Sequence, residues 1–278
     1  MNGFYQIRQT TLRLKGVSGV HPFWHVSDTH LSAIDSQATF EEIQTAFHDE
    51  FEWLKIRRMF AERFQEPFGE AQQQPSGEAF AQLVDLCLEQ KAEALLMSGD
   101  MVNTPLPASY RLIRRQLQRL EIPALYAPGN HEENWFEDEH TLPLRDGENI
   151  QLYRGDGFTI AAMDNSRKRI SPLQLEQLNR LCTEGKPIVL LLHAPLRTRF
   201  NREQVAQLNP YYLVDESDCD SCTAAMIREC VRPDSPVRAI LCGHVHGWHQ
   251  SEFALGKPQL CASSGLVGFA HRVMICGE

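Results

Sequence analysis

Five short apolar runs in this chain each end in a cluster of His, Asp or Asn: WHVSDTHL, LLMSGDMVN, LYAPGNHEE, VLLLHAP and AILCGHVHGWHQ. A run that is apolar throughout, with no polar residue at alternate positions, suits a strand covered on both faces. Helical patterns separate the runs. Phe40, Ile43, Phe47, Phe51, Leu54 and Phe64 recur at mostly helical spacing, as one long helix or two shorter ones. Ser76 reads as the N-cap of a helix with Phe80, Leu83, Val84 and Cys87 on its apolar face. A further helix spans 108–120, and another opens at Ser171 with Pro172 at N1 and Gln174 at N3, a capping box.

The remaining strands are FYQIRQTTLRL, the pair IQLYR and FTIAAM across Gly155 and Gly157, and the hairpin-like series SEFAL, QLCASS and AHRVMI near the C-terminus. Strands alternating with helices imply an α/β fold, and the hairpins make its sheets mixed. No linker divides the 278 residues convincingly, so one domain spanning 1–278 is expected, with a helical insertion at about 38–75.

Composition narrows the function. Hydrophobic residues at 42% and charged residues at 23% are those of an ordinary globular protein. A net charge of −9 argues against duplex nucleic acid and anionic membranes as partners, since both need a basic face. The N-terminal stretch lacks the apolar core of a signal peptide, and IVLLL is too short to span a bilayer. Eight cysteines form no dense framework, so a reducing cytoplasm is expected. Cys219 and Cys222 are the one pair with metal-like spacing, and structural zinc usually needs two such pairs.

The strand ends carry the chemistry. They supply Asp28 and His30, Asp100 and Asn103, Asn130, His131 and Glu132, His193, and His244 and His246. In open α/β sheets, sites form outside the carboxyl ends of strands, so these groups can converge on one cleft. Gly99, Gly129 and Gly243 immediately precede three of them and allow sharp turns with close approach. Taken singly, each group has a plain reading as core histidine, cap or turn residue. Cys242 ends a buried strand and His249 begins the next, so the C-x-H-x-H…H run is no self-contained zinc knuckle.

In this order the blocks D-x-H, G-D-x-x-[DN], G-N-H-[DE], H and G-H-x-H resemble the signature of calcineurin-like metallophosphoesterases, here as DTH, GDMVN, GNHE, the His of LLHAP, and GHVH. The resemblance implies a four-layer α-β-β-α sandwich, two mixed sheets flanked by helices, with a binuclear metal site at strand C-terminal ends. Asp28, His30 and His246 would hold one metal, Asn130, His193 and His244 the other, and Asp100 would bridge them. Such imidazole and carboxylate donors suit two divalent or trivalent ions of Mn, Fe or Zn. It further implies in-line attack on phosphorus by a hydroxide held between the metals. His131 would stabilise the transition state or protonate the leaving oxygen, with Asn103 fixing its ring.

The expected partner is a small phosphoester, a phosphodiester or nucleotide-type substrate ahead of a phosphomonoester. The remote alternative is a silent metal-binding scaffold, which the complete ligand set disfavours. GDMVNTP lacks the Asp-Arg-Gly of phosphoprotein phosphatases, and His131 stands where lipid A pathway hydrolases carry Arg. Residues 197–236 should lie near the cleft as a possible lid. There Arg197, Arg199 and Arg202 read as a solvated turn or as phosphate contacts, and Tyr211 and Tyr212 as packing or as stacking partners. The acidic stretch EENWFEDEH should repel a long polyanion. The oligomeric state is left open.

Overall fold

Neighbouring residues of each apolar run face different cores, which is why no polar residue interrupts the runs. The computed structural model describes residues 4–65, 68–132 and 149–278. All of the acidic stretch beyond Glu132 lies outside the described residues.

One sheet holds β1 (Gln6–Arg13), β2 (Val20–Val26), β3 (Ala94–Met97), β4 (Ala124–Tyr126) and a late strand, β13 (Phe269–Cys276), in the order β1-β13-β2-β3-β4. The other holds β5 (Gln151–Arg154), β6 (Thr159–Ala162), β7 (Ile188–Leu191), β10 (Val237–Cys242), β11 (His249–Ala254) and β12 (Lys257–Cys261), in the order β11-β12-β10-β7-β6-β5. A small separate pair is β8 (Leu196–Arg197) and β9 (Val214–Asp215). Both large sheets are mixed. The triplet β2, β3 and β4 and the triplet β6, β7 and β10 are each parallel, while β13 on β2, β5 on β6 and β11 on β12 are antiparallel.

The helices are α1 (Phe40–Phe64), α2 (Ser76–Glu89), α3 (Pro107–Leu117), α4 (Pro172–Thr183) and α5 (Ser221–Val231). Phe23, Leu96, Val189 and Leu241 meet between the sheets. Trp24 and Leu95 face outward to Phe80 and Leu83 of α2 and Ile113 of α3. Leu190 and Ile240 face the other way, to Leu178 of α4 and Met226 of α5. The order is therefore helix, sheet, sheet, helix, the expected four layers. Alternate residues of one strand bury themselves in different layers, and each buried Leu or Phe contributes about 1.5–3 kcal/mol.

Two local expectations change. Ser76 is the first residue of α2 rather than its cap, which is Pro75. The Ser76 hydroxyl instead joins three segments, accepting from the Ser32 N–H at 2.8 Å and lying against the Ser32 carbonyl and the Glu50 carboxylate. In α1, a single 25-residue helix, the phenylalanine stripe is not the buried one: Phe40, Phe47 and Phe51 are exposed. The buried stripe is Ala46, Asp49, Arg57 and Ala61. Its polar members find partners along the chain: Asp49 accepts from the Ser32 hydroxyl at 2.9 Å and Arg57 Nη1 donates to the Gln74 carbonyl at 2.9 Å, while Arg57 Nε has no partner among the described residues. The capping box at Ser171 forms as read.

Candidate metal centre

The strands β2, β3 and β4 of one sheet and β7 and β10 of the other end on the same side, and the five polar clusters meet there. To turn the chain so abruptly, five of the residues concerned take left-handed backbone: Asp28, His30, Asp100, His244 and His246, with φ between 44° and 69°. For a residue with a side chain this costs on the order of 1–3 kcal/mol, and it persists only where surrounding contacts enforce it. Those contacts are present. The Asp28 N–H donates to the Gly99 carbonyl at 2.9 Å and the His30 N–H to the Asp100 carbonyl at 3.0 Å. The His244 N–H donates to the Asp28 carboxylate at 2.9 Å. Gly243 is obligatory, because a Cβ there would fall on the Ser27 hydroxyl.

Among the described residues two groups of buried donors form, Asp28–His30–Asp100–His246 and Asp100–His193–His244, each with donor atoms within 4.8 Å of one another. Asp100 belongs to both. In the first group His30 Nε2 and His246 Nε2 are 3.1 Å apart, with Asp28 Oδ1 3.4 Å from His246 Nε2 and Asp100 Oδ2 3.9 Å from His30 Nε2. In the second, His193 Nε2 lies 3.3 Å from Asp100 Oδ2 and 3.1 Å from Asn130 Oδ1. The His193 and His244 rings are 4.5 Å apart. His193 Nδ1 donates to the Ser98 carbonyl at 2.8 Å, which leaves Nε2 turned toward the donor cluster. Imidazole nitrogens and carboxylate oxygens thus converge on one another from all sides, and cations between them would satisfy this donor set.

The electrostatics agree. Burial first, and then neighbouring histidine charge, holds His30 and His244 well below the usual imidazole range, and burial pushes His246 down to about 4. These rings are neutral and ligand-ready at pH 7. His193 moves the other way: burial opposes its charge, but the Asp100 and Asp28 carboxylates outweigh it and raise it to about 10. Asp28 is pushed up to about 7, chiefly by burial. Two buried carboxylates therefore pull positive charge into the site, the requirement a bound cation meets.

His131 stands beside the cluster. Its N–H donates to Asp100 Oδ1 at 2.9 Å, and its ring meets the His30 ring edge-on at 4.6 Å. Its expected partner, Asn103, is present but acts through the backbone: His131 Nδ1 lies 2.7 Å from the Asn103 carbonyl. A carbonyl oxygen only accepts, so Nδ1 carries a proton, and Nε2 makes no hydrogen bond among the described residues. Beneath lies buried Glu132, whose carboxylate accepts from the N–H groups of Gly129, Asp100 and Val102 at 2.7, 2.9 and 3.0 Å.

Several neighbours carry no signal in the five blocks. Trp53 of α1 stacks on His30 at 4.2 Å, and Phe60 lies 4.5 Å from His246. Ser166, Arg167, Lys168 and Arg169, just after β6, line a cavity of about 380 Å³ together with Asn130, Tyr211 and His244. The sequence cue is a sixth apolar run, FTIAAM, ending in the polar cluster DNSRKR.

The candidate substrate residues divide. Tyr212 packs edge-on against His244 at 4.9 Å, and Tyr211 lines the cavity. Arg197 and Arg202 instead pair with Asp215, at 3.3 and 3.8 Å, and Arg199 stacks on Phe200. Cys219 and Cys222 belong to no donor cluster among the described residues, and Cys219 packs on the core beside α5. Cys242 is buried at the end of β10, and His249 opens β11.

Similar proteins place this centre in context. A probable cyclic nucleotide phosphodiesterase of Synechococcus sp. is 34% identical over 115 residues, 38% of this chain and 44% of that protein. A glycerophosphodiester phosphodiesterase of Enterobacter lignolyticus is 37% identical over 57 residues, 20% of each chain. The chain thus aligns with less than half the length of these curated relatives. In fold it is similar to a dimetal phosphatase from Danio rerio, with a TM-score of 0.54 and 10% identity over 88% of both chains. It is also similar to a purple acid phosphatase from yellow lupin seeds, with a TM-score of 0.50 and 13% identity over 94% of this chain and 44% of that one. The sequence model of the calcineurin-like phosphoesterases matches residues 21–248, most of the chain, and the chain belongs to that family.

Proposed function

We propose that the protein is a binuclear metal-dependent hydrolase of small phosphoesters, acting on phosphodiesters or nucleotide-type substrates. The observation that carries this reading is the position of Asp100, shared by two buried donor groups while its Oδ1 accepts the N–H of His131. Asp28, His30 and His246 would hold one ion, Asn130, His193 and His244 the other, and Asp100 both. Two ions of Mn, Fe or Zn, when bound, supply charge neutralisation at the phosphoryl oxygens and a water whose pKa is lowered toward about 7.

The chain's own residues do the rest. Glu132 holds the Asp100 turn rigid, so the shared carboxylate is set before substrate arrives. The Asn103 carbonyl fixes the His131 ring, and Nε2, having taken a proton from solvent, donates it to the leaving oxygen. Trp53 and Phe60 cover the His30–His246 side and limit water there. The Asn130 amide contributes a neutral oxygen, which keeps the site from repelling an anionic substrate.

The diester preference draws support from the names of the two relatives that share sequence with the chain. All eight cysteines are free thiols, which supports a reducing, cytoplasmic setting. The net charge of −9 supports a small substrate over duplex nucleic acid. Among the described residues no helix is long and apolar enough to cross a membrane.

The test is an assay of Mn-, Zn- and Fe-loaded protein on an aryl phosphodiester, the matching monoester and cyclic nucleotides, with metal analysis alongside. Diester hydrolysis by protein holding two ions is expected, with both activity and stoichiometry falling in Asp100→Asn. A fully metallated protein inert on every ester would sink the reading.

A further inference from the structure

The cavity beside Asn130 and His244 is the one place where this acidic chain gathers three consecutive cations against its donor cluster. The segment carrying them is built rather than loose. Asn165, fully buried, accepts from the N–H groups of His193 and Ala194 at 2.8 and 3.0 Å and donates to the Ala194 carbonyl at 2.7 Å. That ties the start of the segment to the same turn that presents His193. At its far end Ile170 is buried in the core, and its N–H donates to the Thr223 hydroxyl at 3.0 Å. Between these anchors Ser166 is buried, while Arg167 and Arg169 are exposed around half-buried Lys168.

Lys168 is held in left-handed backbone at φ 58°, a conformation that favours glycine. A lysine kept there at conformational cost points to a use for its charge. Its Nζ sits 4.2 Å over the ring of Tyr211, which meets Tyr212 edge-on at 5.7 Å. Tyr212 in turn meets His244 edge-on at 4.9 Å. An aromatic ladder therefore spaces the ammonium from a candidate metal ligand, and Asn209 braces it by accepting the Tyr211 N–H at 3.0 Å. Tyr211 is 69% exposed, and the ladder supplies its ring contacts among the described residues.

We propose that this cavity is a subsite for a second phosphoryl group of the substrate, beyond the ester that is cleaved, with Arg167, Lys168 and Arg169 as its binding residues and Tyr211 as a positioning residue. Guanidinium groups match phosphate geometry, and the cavity of about 380 Å³ has room for a phosphoryl group and the carbons linking it to the reacting one. The substrate class is then a phosphoester that carries another phosphate. The inference rests on the hydrolase reading for the word substrate, but the subsite can be measured without turnover.

The test is calorimetric binding of thymidine 5′-phosphate and thymidine 3′,5′-bisphosphate to the Mn-loaded protein. At least tenfold tighter binding of the bisphosphate is expected. Lys168→Gly, which suits the backbone at that position, and the double variant Lys168→Gly/Arg169→Ala should bring the ratio of the two affinities toward one. Thermal unfolding confirms that the variants are folded, and the ratio cancels any general loss of affinity. Equal affinities in the unaltered protein, or a ratio unmoved by the double variant, would overturn the proposal. A preserved bisphosphate preference in a protein inert on all phosphoesters would sink the hydrolase reading and leave the subsite standing.

Discussion

Glu132 lies directly beneath Asp100, its buried Oε2 accepting the Asp100 N–H at 2.9 Å. The same carboxylate holds Gly129 and Val102, so one side chain braces the β3 and β4 turns together. Burial and the charge of Asp100 both raise its pKa, and the donated N–H groups oppose them. In Glu132→Gln one terminal atom becomes a donor facing backbone N–H groups. We expect a loss of about 1–3 kcal/mol in urea unfolding, the cost of an unsatisfied buried group, and weaker metal retention. Unchanged stability and metal content would show that Glu132 does not brace the site.

Trp53 offers an optical report on the His30 side, because its ring stacks on His30 at 4.2 Å. Mn²⁺ bound among Asp28, His30, Asp100 and His246 should quench part of the protein's indole emission. The chain has four tryptophans, so the quenched fraction must be assigned with Trp53→Phe, which should abolish most of it. Equal quenching in the variant would place the ion elsewhere.

How much of this was legible before the fold was known depends on what each residue looks like in one dimension. Asp28, Asp100, Asn130, His193, His244 and His246 stood out because each follows an apolar run, and parallel strands must deliver those ends to one edge. The contribution of α1 was hidden for the opposite reason. Its phenylalanines form a visible stripe that faces solvent, while the stripe it buries contains Asp49 and Arg57, which no hydrophobic period selects. Polar residues bonded to partners far along the chain, such as Ser32 and Gln74, leave no local trace. Asn103 holds the His131 ring through its backbone carbonyl, a group that no letter of a sequence marks. The basic segment after β6 went unread because cations, unlike His and Asp, are ordinary in surface loops.

His131 separates ligation from proton transfer. Its Nε2 is directed by the Asn103 carbonyl on Nδ1, and among the described residues its side chain belongs to neither donor group. His131→Ala should lower kcat by about 10²–10⁴-fold with near-normal metal content. Because the orienting contact comes from the backbone, Asn103→Ala should cost far less than His131→Ala. A drop in bound metal in His131→Ala would make His131 a ligand instead.

Acid sensitivity should arise away from the site as well, at His271. Its Nε2 accepts the Ser263 N–H at 2.9 Å, and its ring stacks on Trp248 at 5.3 Å, so the neutral form is built into the fold. Burial, aided by His25 and Arg8, pushes its pKa down to about 3, against 6.5 in the unfolded chain. Between these values the unfolded state binds a proton that the folded state does not, so stability rises with pH. The contribution is complete above about pH 6.5 and is lost progressively as pH falls through the window toward 3. His271→Gln keeps an acceptor for Ser263 and removes the titration. Between pH 7 and pH 5 the unaltered protein should lose about 2 kcal/mol more than the variant in urea unfolding, both metal-loaded so that ligand protonation cancels. Parallel losses in the two proteins would mean that His271 is protonated in the folded state without cost.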